Sequence, residues 1–113
     1  MTVVETPGFL RDAASALTEP ERQGLVAFLA ANPEAGILMA ETGGIRKLRW
    51  GTQGRGKRGG VRVIYYYHSE TLPLFLLNVF AKNEQANLSK AERNQLKLLV
   101  PRLVAGYQRR IQR

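Results

Sequence analysis

Cysteine is absent from this chain of 113 residues, which excludes disulfide bonds and thiolate-ligated metal centres and is typical of a reducing compartment. Long apolar runs are absent as well. The longest nearly continuous one, residues 72–81, is interrupted by Pro73 and Asn78 and is far shorter than the roughly 20 residues that cross a membrane. The first residues lack the basic and then apolar segments of a signal peptide. We therefore expect a cytoplasmic protein that does not enter a membrane.

Histidine is scarce, because His68 is the only one, and a lone histidine without a nearby set of carboxylates cannot complete a metal site. A nucleotide-binding loop is also excluded. Residues 51–57 (GTQGRGK) fit the spacing G-x-x-x-x-G-K. However, Arg58 stands where that loop needs serine or threonine, and a predicted strand follows instead of a helix. We expect no metal and no other cofactor.

Acidic residues are few, and the charge is unevenly distributed. The chain carries 17 lysines and arginines against 9 aspartates and glutamates, a net charge of +8. Residues 1–41 have two basic and six acidic side chains, residues 42–88 have eight and two, and residues 89–113 have seven and one. Such an asymmetry indicates a polyanion, a membrane surface or an acidic partner. The alternative is a solvated surface that happens to be basic.

The length and a composition with 44% hydrophobic residues predict one globular domain over residues 1–113. Thr18-Glu19-Pro20-Glu21 is a capping box that begins a helix ending at Asn32-Pro33. A shorter helix is predicted from Pro7 to about Leu17, preceded by a short strand at residues 3–4. Ser89-Lys90-Ala91-Glu92 begins a C-terminal helix with an apolar stripe. Pro101 should kink or split that helix near Lys97.

Three strands are predicted in the middle of the chain, at residues 45–50, 61–68 and 74–80. Residues 69–73 join the last two, and residues 51–60 form a long glycine-rich, basic loop between the first two. The element order predicts an α+β fold, in which a small antiparallel sheet packs on two N-terminal helices and is followed by a C-terminal helix. We expect helices to cover one face of the sheet and to leave the other face partly open.

The second predicted strand carries an unusual arginine. By alternation Arg62 shares a face with Ile64, Tyr66 and His68, and an arginine in an apolar strand is costly unless it is paired or meets an anion. Lys47, Arg49 and Lys82 are expected near it, and Glu84 is the one obvious acid nearby. The four cations predict a phosphate site. The alternative is a set of surface cations whose aliphatic stems lie on the sheet.

The basic loop extends this surface. Arg55, Lys57 and Arg58 are spaced by glycines, and such a loop can follow a nucleic-acid backbone through phosphate contacts. An ordinary exposed hairpin loop explains the same residues. We add Arg46, Tyr66 and His68 to the three loop cations as candidate RNA-binding residues.

These segments resemble a known family. GGIRKLRW at residues 43–50, GGVRVIYYY at 59–67, FAKNE at 80–84 and the helix start at Leu88-Ser89 resemble the RelE/HigB family of bacterial toxins from toxin–antitoxin pairs. The HigB-type branch is the nearest, and the resemblance covers about residues 3–100. It implies a small antiparallel sheet with two N-terminal helices and one C-terminal helix. It also implies a toxin that cleaves mRNA in the ribosomal A site with an open, basic sheet face.

The resemblance also implies roles for single residues. The family's strand arginine falls on Arg62, the paired basic residues of the preceding strand on Lys47 and Arg49, and the cation after the last strand on Lys82. Leu88 stands where some relatives have a catalytic tyrosine. The general base is therefore open among three candidates, which are Glu84, His68 and Tyr66.

The leading hypothesis is a metal-independent, ribosome-dependent endoribonuclease, in which the ribose 2′-OH attacks the adjacent phosphate. Arg62 and Lys82 would stabilise the phosphorane, and Lys47 or Arg49 would activate the 2′-OH or protonate the leaving oxygen. The alternative is a non-catalytic basic module that binds RNA, the ribosome or a partner. The resemblance further implies an antitoxin, of the helix-turn-helix HigA-like type, with an acidic contact segment. Operator DNA would then be bound only through that antitoxin.

Overall fold

The computed structural model describes residues 1–51, 60–81 and 88–111, with side chains up to residue 109. Three helices and five strands follow one another along these ranges. In chain order they are β1 (Val3–Glu5), α1 (Pro7–Ala16), α2 (Glu19–Ala31), β2 (Ile37–Leu38), β3 (Ile45–Trp50), β4 (Val61–Tyr66), β5 (Leu74–Ala81) and α3 (Lys90–Ile111). No helix in this part of the chain is long and apolar enough to span a membrane.

The helix starts are fixed by side-chain caps. Thr6 accepts a hydrogen bond from the Phe9 backbone N–H before α1. The predicted capping box before α2 is confirmed, because Thr18 and Glu21 each accept from the other's backbone N–H. The second box is confirmed as well: the Ser89 N–H donates to Glu92 Oε1 at 2.8 Å and the Glu92 N–H to Ser89 Oγ at 3.1 Å. Side-chain caps satisfy backbone groups that the helix leaves unpaired.

The five strands form one sheet in the order β1-β5-β4-β3-β2. The β2–β3, β3–β4 and β4–β5 pairs are antiparallel, and the β1–β5 pair is parallel. The α+β fold class is confirmed, although the sheet is mixed and has two edge strands beyond the three antiparallel ones. β1 is the short strand predicted at residues 3–4. β2 was not predicted, because two residues are too few for an alternating pattern.

Each face of the sheet has its own apolar cluster. α1 and α2 pack on the face that carries Val61, Val63 and Tyr65, with Phe9, Leu25 and Leu29 fully buried. α3 packs on the opposite face over Ile45, Tyr66 and Phe75, through Leu96, Val100, Leu103, Val104 and Tyr107. The second face is therefore covered at the end where β4 finishes. Arg49, at the other end of that face, is exposed.

Of the two predicted effects of Pro101, a split of the C-terminal helix is wrong, because α3 runs unbroken from Lys90 to Ile111 with Pro101 inside it; a kink near Lys97 stays a prediction. Proline removes one backbone hydrogen bond and crowds the preceding turn. Here the apolar side chains before and after Pro101 belong to the same buried cluster: Val100 precedes it and Leu103 follows. Packing of both halves on one surface outweighs the local cost of the proline.

Tyr65 fixes the loop that leads into β2. Its side chain is fully buried. Its hydroxyl donates to the Pro33 carbonyl and accepts from the Gly36 N–H, both at 2.8 Å. A Cβ on Gly36 would lie 2.8 Å from the Tyr65 ring and hydroxyl, so only glycine fits at this position. β2 then pairs with Lys47 through Ile37, which connects the loop to the strand of the candidate site.

Candidate functional site

Two arginines and a lysine share the face of the sheet that α3 partly covers. Arg49 of β3 and Arg62 of β4 are directly opposite each other in the antiparallel register. Lys47 lies on the same face, two residues before Arg49, because alternate residues of a strand point to one side. Arg62 is only 6% exposed, Lys47 is half-buried and Arg49 is exposed. Solvent exposure therefore increases from Arg62 through Lys47 to Arg49.

This pairing is unusual for a sheet. Directly opposed residues have Cβ atoms about 4.5–5.5 Å apart, and like charges in such positions destabilise the sheet. On the other side of Arg62, β5 contributes Phe80, which is half-buried. An apolar neighbour lowers the local dielectric and strengthens the field of the cations. The arrangement is therefore suited to an anionic ligand such as a phosphate.

Part of the predicted site lies outside the described residues. β5 ends at Ala81, which pairs with Val61 beside Arg62. Lys82 and Glu84 follow Ala81 in the sequence but fall outside the described ranges. The same holds for the three loop cations Arg55, Lys57 and Arg58. The roles assigned to these five residues stay predictions.

Tyr66 and His68 lie on the predicted face but not at Arg62. They are four and six residues further along the chain, which is roughly 13 and 20 Å at about 3.3 Å per residue. Tyr66 is 6% exposed beneath α3, and burial raises its pKa, which disfavours the phenolate that a general base requires. His68 is exposed beyond the end of β4 and stacks on Tyr66 with ring centroids 6.4 Å apart.

Arg46 points to the other side of the sheet, where it pairs with Tyr65 in the register. Its Nη1 donates to the Gly36 carbonyl at 2.8 Å and to the Glu34 carbonyl at 3.3 Å. These contacts support the same loop that Tyr65 holds. The structure does not bring Arg46 together with Arg62, and its RNA-binding role stays a prediction.

A second group of cations was missed in the sequence. Lys90, Arg93 and Lys97 surround a cavity at the beginning of α3. Their spacing of three and four residues, which places side chains on one helix face, is the signal that identifies them. The apolar stripe of the same helix lies on its other face, against the sheet.

The comparison with known proteins agrees with this fold. Residues 22–113 match the family described as the RelE toxin of the RelE/RelB toxin–antitoxin system. The structure is also similar to that of an arginine-to-alanine double mutant of the E. coli toxin RelE in the free state. The TM-score is 0.52 at 16% identity, over 75% of this chain and 86% of that chain. At this identity the likeness supports the fold alone.

Fold and family match together define a small α+β toxin of a toxin–antitoxin system. The chain belongs to the RelE toxin family, which confirms the resemblance at the level of that family. Members of the family are endoribonucleases, and membership implies an antitoxin partner.

Proposed function

We propose that this chain is a ribosome-dependent endoribonuclease that inhibits translation by cleaving mRNA in the ribosomal A site. The observation that carries the proposal is the register pair of Arg49 and Arg62 with Lys47 on the same face. Cations gathered on one face attract a polyanion, and the planar guanidinium groups of the two arginines suit phosphate. The net charge of +8 supports a nucleic acid as that substrate.

The chemistry needs only the RNA and protein side chains. The 2′-oxygen of one ribose forms a bond to the adjacent phosphorus, and its proton passes to a base. The bond from phosphorus to the 5′-oxygen breaks, and this oxygen takes up a proton. The products are a 2′,3′-cyclic phosphate, or its hydrolysed form, and a 5′-hydroxyl.

Each cation has a distinct role in this scheme. Arg62, together with Lys82, stabilises the charge that develops on the phosphorane. Lys47 or Arg49 lowers the pKa of the 2′-OH or protonates the leaving oxygen. A general base must lie within hydrogen-bond reach of the proton that it removes. Tyr66, at the far end of β4, and His68, beyond that end, are too distant from Arg62 for this role. This leaves Glu84 as the base in the proposal, on its sequence position after β5.

The test compares single neutral variants for growth arrest on induction and for mRNA cleavage on translating ribosomes. We expect Arg62→Gln to lower cleavage by about 10²–10³-fold, as the loss of one fixed charge donor does. Arg49→Gln should also lower cleavage and, because Arg49 is exposed, should leave folding unchanged. Arg109→Gln, which removes an exposed cation from α3, is the matched control. Thermal unfolding checks that Arg62→Gln still folds.

The non-catalytic alternative gives a different result. A wild-type chain that binds ribosomes but neither arrests growth nor cuts mRNA is a binding module. Equal cleavage by the wild-type, Arg49→Gln and Arg62→Gln chains would show that this surface does not carry out the reaction.

We further propose that the antitoxin is a helix-turn-helix protein of the HigA-like type and that it contacts this chain through an acidic segment. The charge of +8 supports an acidic contact, because opposite potentials speed association and favour the correct partner. The complex should bind its operator specifically, whereas the isolated chain should show only salt-sensitive, sequence-independent DNA affinity. Electrophoretic shifts with operator and scrambled duplexes measure both. Specific operator binding by the isolated chain contradicts this proposal.

A further inference from the structure

A cavity of about 300 Å³ lies between the turn at Ala40-Glu41 and the first two turns of α3. Lys90, Arg93 and Lys97 line it from the helix. These three residues recur at intervals of three and four, so they project from one face of α3. Three positive charges therefore converge on one concave surface.

The cations of this cavity lack counter-ions. Over the described ranges, none of Lys90, Arg93 and Lys97 forms a salt bridge or a side-chain hydrogen bond. The Nε of Arg93 is buried from solvent and has no hydrogen-bond partner. A buried donor without an acceptor destabilises the fold, and more so when the group is charged. Glu41 is the acid of the lining, so the described lining is net positive.

We propose that this cavity binds a phosphate group of the RNA backbone, and the inference rests on the proposed function of the chain. Arg93 supplies the planar donor that suits phosphate, and Lys90 and Lys97 supply point charges. The Asn94 amide lies on the same lining. RNA is favoured over an acidic peptide because the cavity belongs to the helix that packs on the face of the sheet where the proposed reaction places the RNA.

The position of the cavity links it to the candidate active site. α3 packs on the sheet face that carries Arg62, through a cluster that includes Ile64 and Tyr66. The cavity and the three cations of the sheet therefore lie on the same side of the sheet. One RNA chain can contact both, with the cavity holding a phosphate away from the bond that is cut. Such a contact would position the substrate rather than take part in the reaction.

The first measurement uses the full-length chain and the arginine Nε–H resonances in NMR spectra, with Arg93 assigned through Arg93→Lys. Inorganic phosphate and then a twelve-nucleotide oligouridylate are the probes. We expect the Arg93 resonance to shift and saturate, whereas those of Arg102 and Arg109, exposed on the same helix, shift little. Equal shifts at all three arginines would mean general screening and would overturn the proposal.

The second measurement compares matched double variants in oligouridylate binding as a function of salt. Lys90→Gln/Lys97→Gln should weaken binding about tenfold at low salt and reduce the log–log salt slope by about 0.7, the value for one phosphate contact to a single strand. Arg102→Gln/Arg109→Gln removes the same charge from the same helix and should change affinity less than about threefold. Glu41→Gln should tighten binding, because it removes the acid that opposes the anion.

Two outcomes separate this inference from the proposed function. If Arg62→Gln abolishes cleavage while the cavity variants and the matched variants bind RNA equally, only the cavity proposal fails. If wild-type protein does not cleave mRNA but the Arg93 resonance shifts with oligouridylate as expected, the proposed endoribonuclease activity is refuted and the proposed phosphate site is supported. Saturation of Arg93 by an oligoglutamate peptide at lower concentration than by oligouridylate would assign the cavity to an acidic protein segment instead, and would overturn the RNA proposal.

Discussion

Replacement of Tyr65 by phenylalanine tests how the fold supports β2 and, through it, Lys47. Tyr65 is fully buried on β4, and its hydroxyl holds the loop before β2 through Pro33 and Gly36. Phenylalanine keeps the ring and removes only this oxygen. The change therefore isolates two hydrogen bonds from the packing of the aromatic side chain.

The expected loss of stability depends on the backbone groups that lose their hydrogen-bond partner in Tyr65→Phe. The Gly36 N–H is buried and loses its acceptor, at a cost of about 1–3 kcal/mol for an unsatisfied buried group. The Pro33 carbonyl is half-buried, so water can replace the lost donor. We expect Tyr65→Phe to lower the free energy of unfolding by about 1–3 kcal/mol near pH 8, a large share of the roughly 5–15 kcal/mol of a typical domain.

The cost should shrink at high pH. Burial raises the pKa of Tyr65 above its usual value near 10, and the Gly36 hydrogen bond and the Arg46 charge oppose that shift in part. The folded chain then holds the phenol proton more tightly than the unfolded chain. This contribution is fully present below pH about 10 and is lost as the pH rises through the folded pKa. The difference between wild type and variant should narrow by at most about 1.4 kcal/mol per pH unit in that window.

Urea unfolding followed by far-UV circular dichroism at pH 8 and at steps from pH 9.5 to 11 measures both effects. Tyr67→Phe is the matched control, because Tyr67 is partly buried on the same cluster and its hydroxyl has no hydrogen bond within the described chain. It should change stability by less than about 0.5 kcal/mol. A Tyr65→Phe chain as stable as wild type at pH 8, or a difference that does not change with pH, would refute this reasoning.

Two further variants test the loops on either side of the site. Gly36→Ala should lower the free energy of unfolding by about 1–3 kcal/mol in urea, because the new Cβ meets the buried Tyr65 ring at 2.8 Å; unchanged stability would mean that the ring moves aside freely. Joint neutralisation of Arg55, Lys57 and Arg58 should weaken ribosome co-sedimentation at low salt and leave the unfolding midpoint unchanged. Loss of cooperative unfolding in that triple variant would show that the loop contributes to the core.

Elements with a local cause were predictable from the sequence. The capping boxes at Thr18 and Ser89 gave both helix starts, since a cap depends on residues three apart. The alternating run before the glycine-rich loop gave β3 with its observed ends, Ile45 and Trp50. β2 was not predictable, because Tyr65 and the β3 register hold it in place from outside its own two residues. The continuity of α3 through Pro101 likewise depends on packing that lies elsewhere in the chain.

The sequence pattern predicts which face of the sheet carries the site, but it does not predict which residues of that face lie close together. Alternation placed Arg62 with Tyr66 on one side, and the register adds Arg49 directly opposite Arg62. Alternation carries no information about distance along a strand, so His68 entered the same set although it lies some six residues from Arg62. A rise of about 3.3 Å per residue is enough to separate the two without any structure. The burial of Tyr66 is different in kind, because it depends on where α3 crosses the sheet.

The same helix explains why the α3 cations were harder to find than the strand cations. A charged arginine in a strand of valines and tyrosines is energetically unfavourable without a partner, so it is easily recognised in a sequence. Lysines and arginines are the usual residues on the solvent-facing side of an amphipathic helix. Only the turn at Glu41, which packs beside that side of α3, creates a cavity there. Such a site arises from two segments about fifty residues apart. Its signature is structural, namely the buried Nε of Arg93 that has no hydrogen-bond partner, and no sequence pattern encodes it.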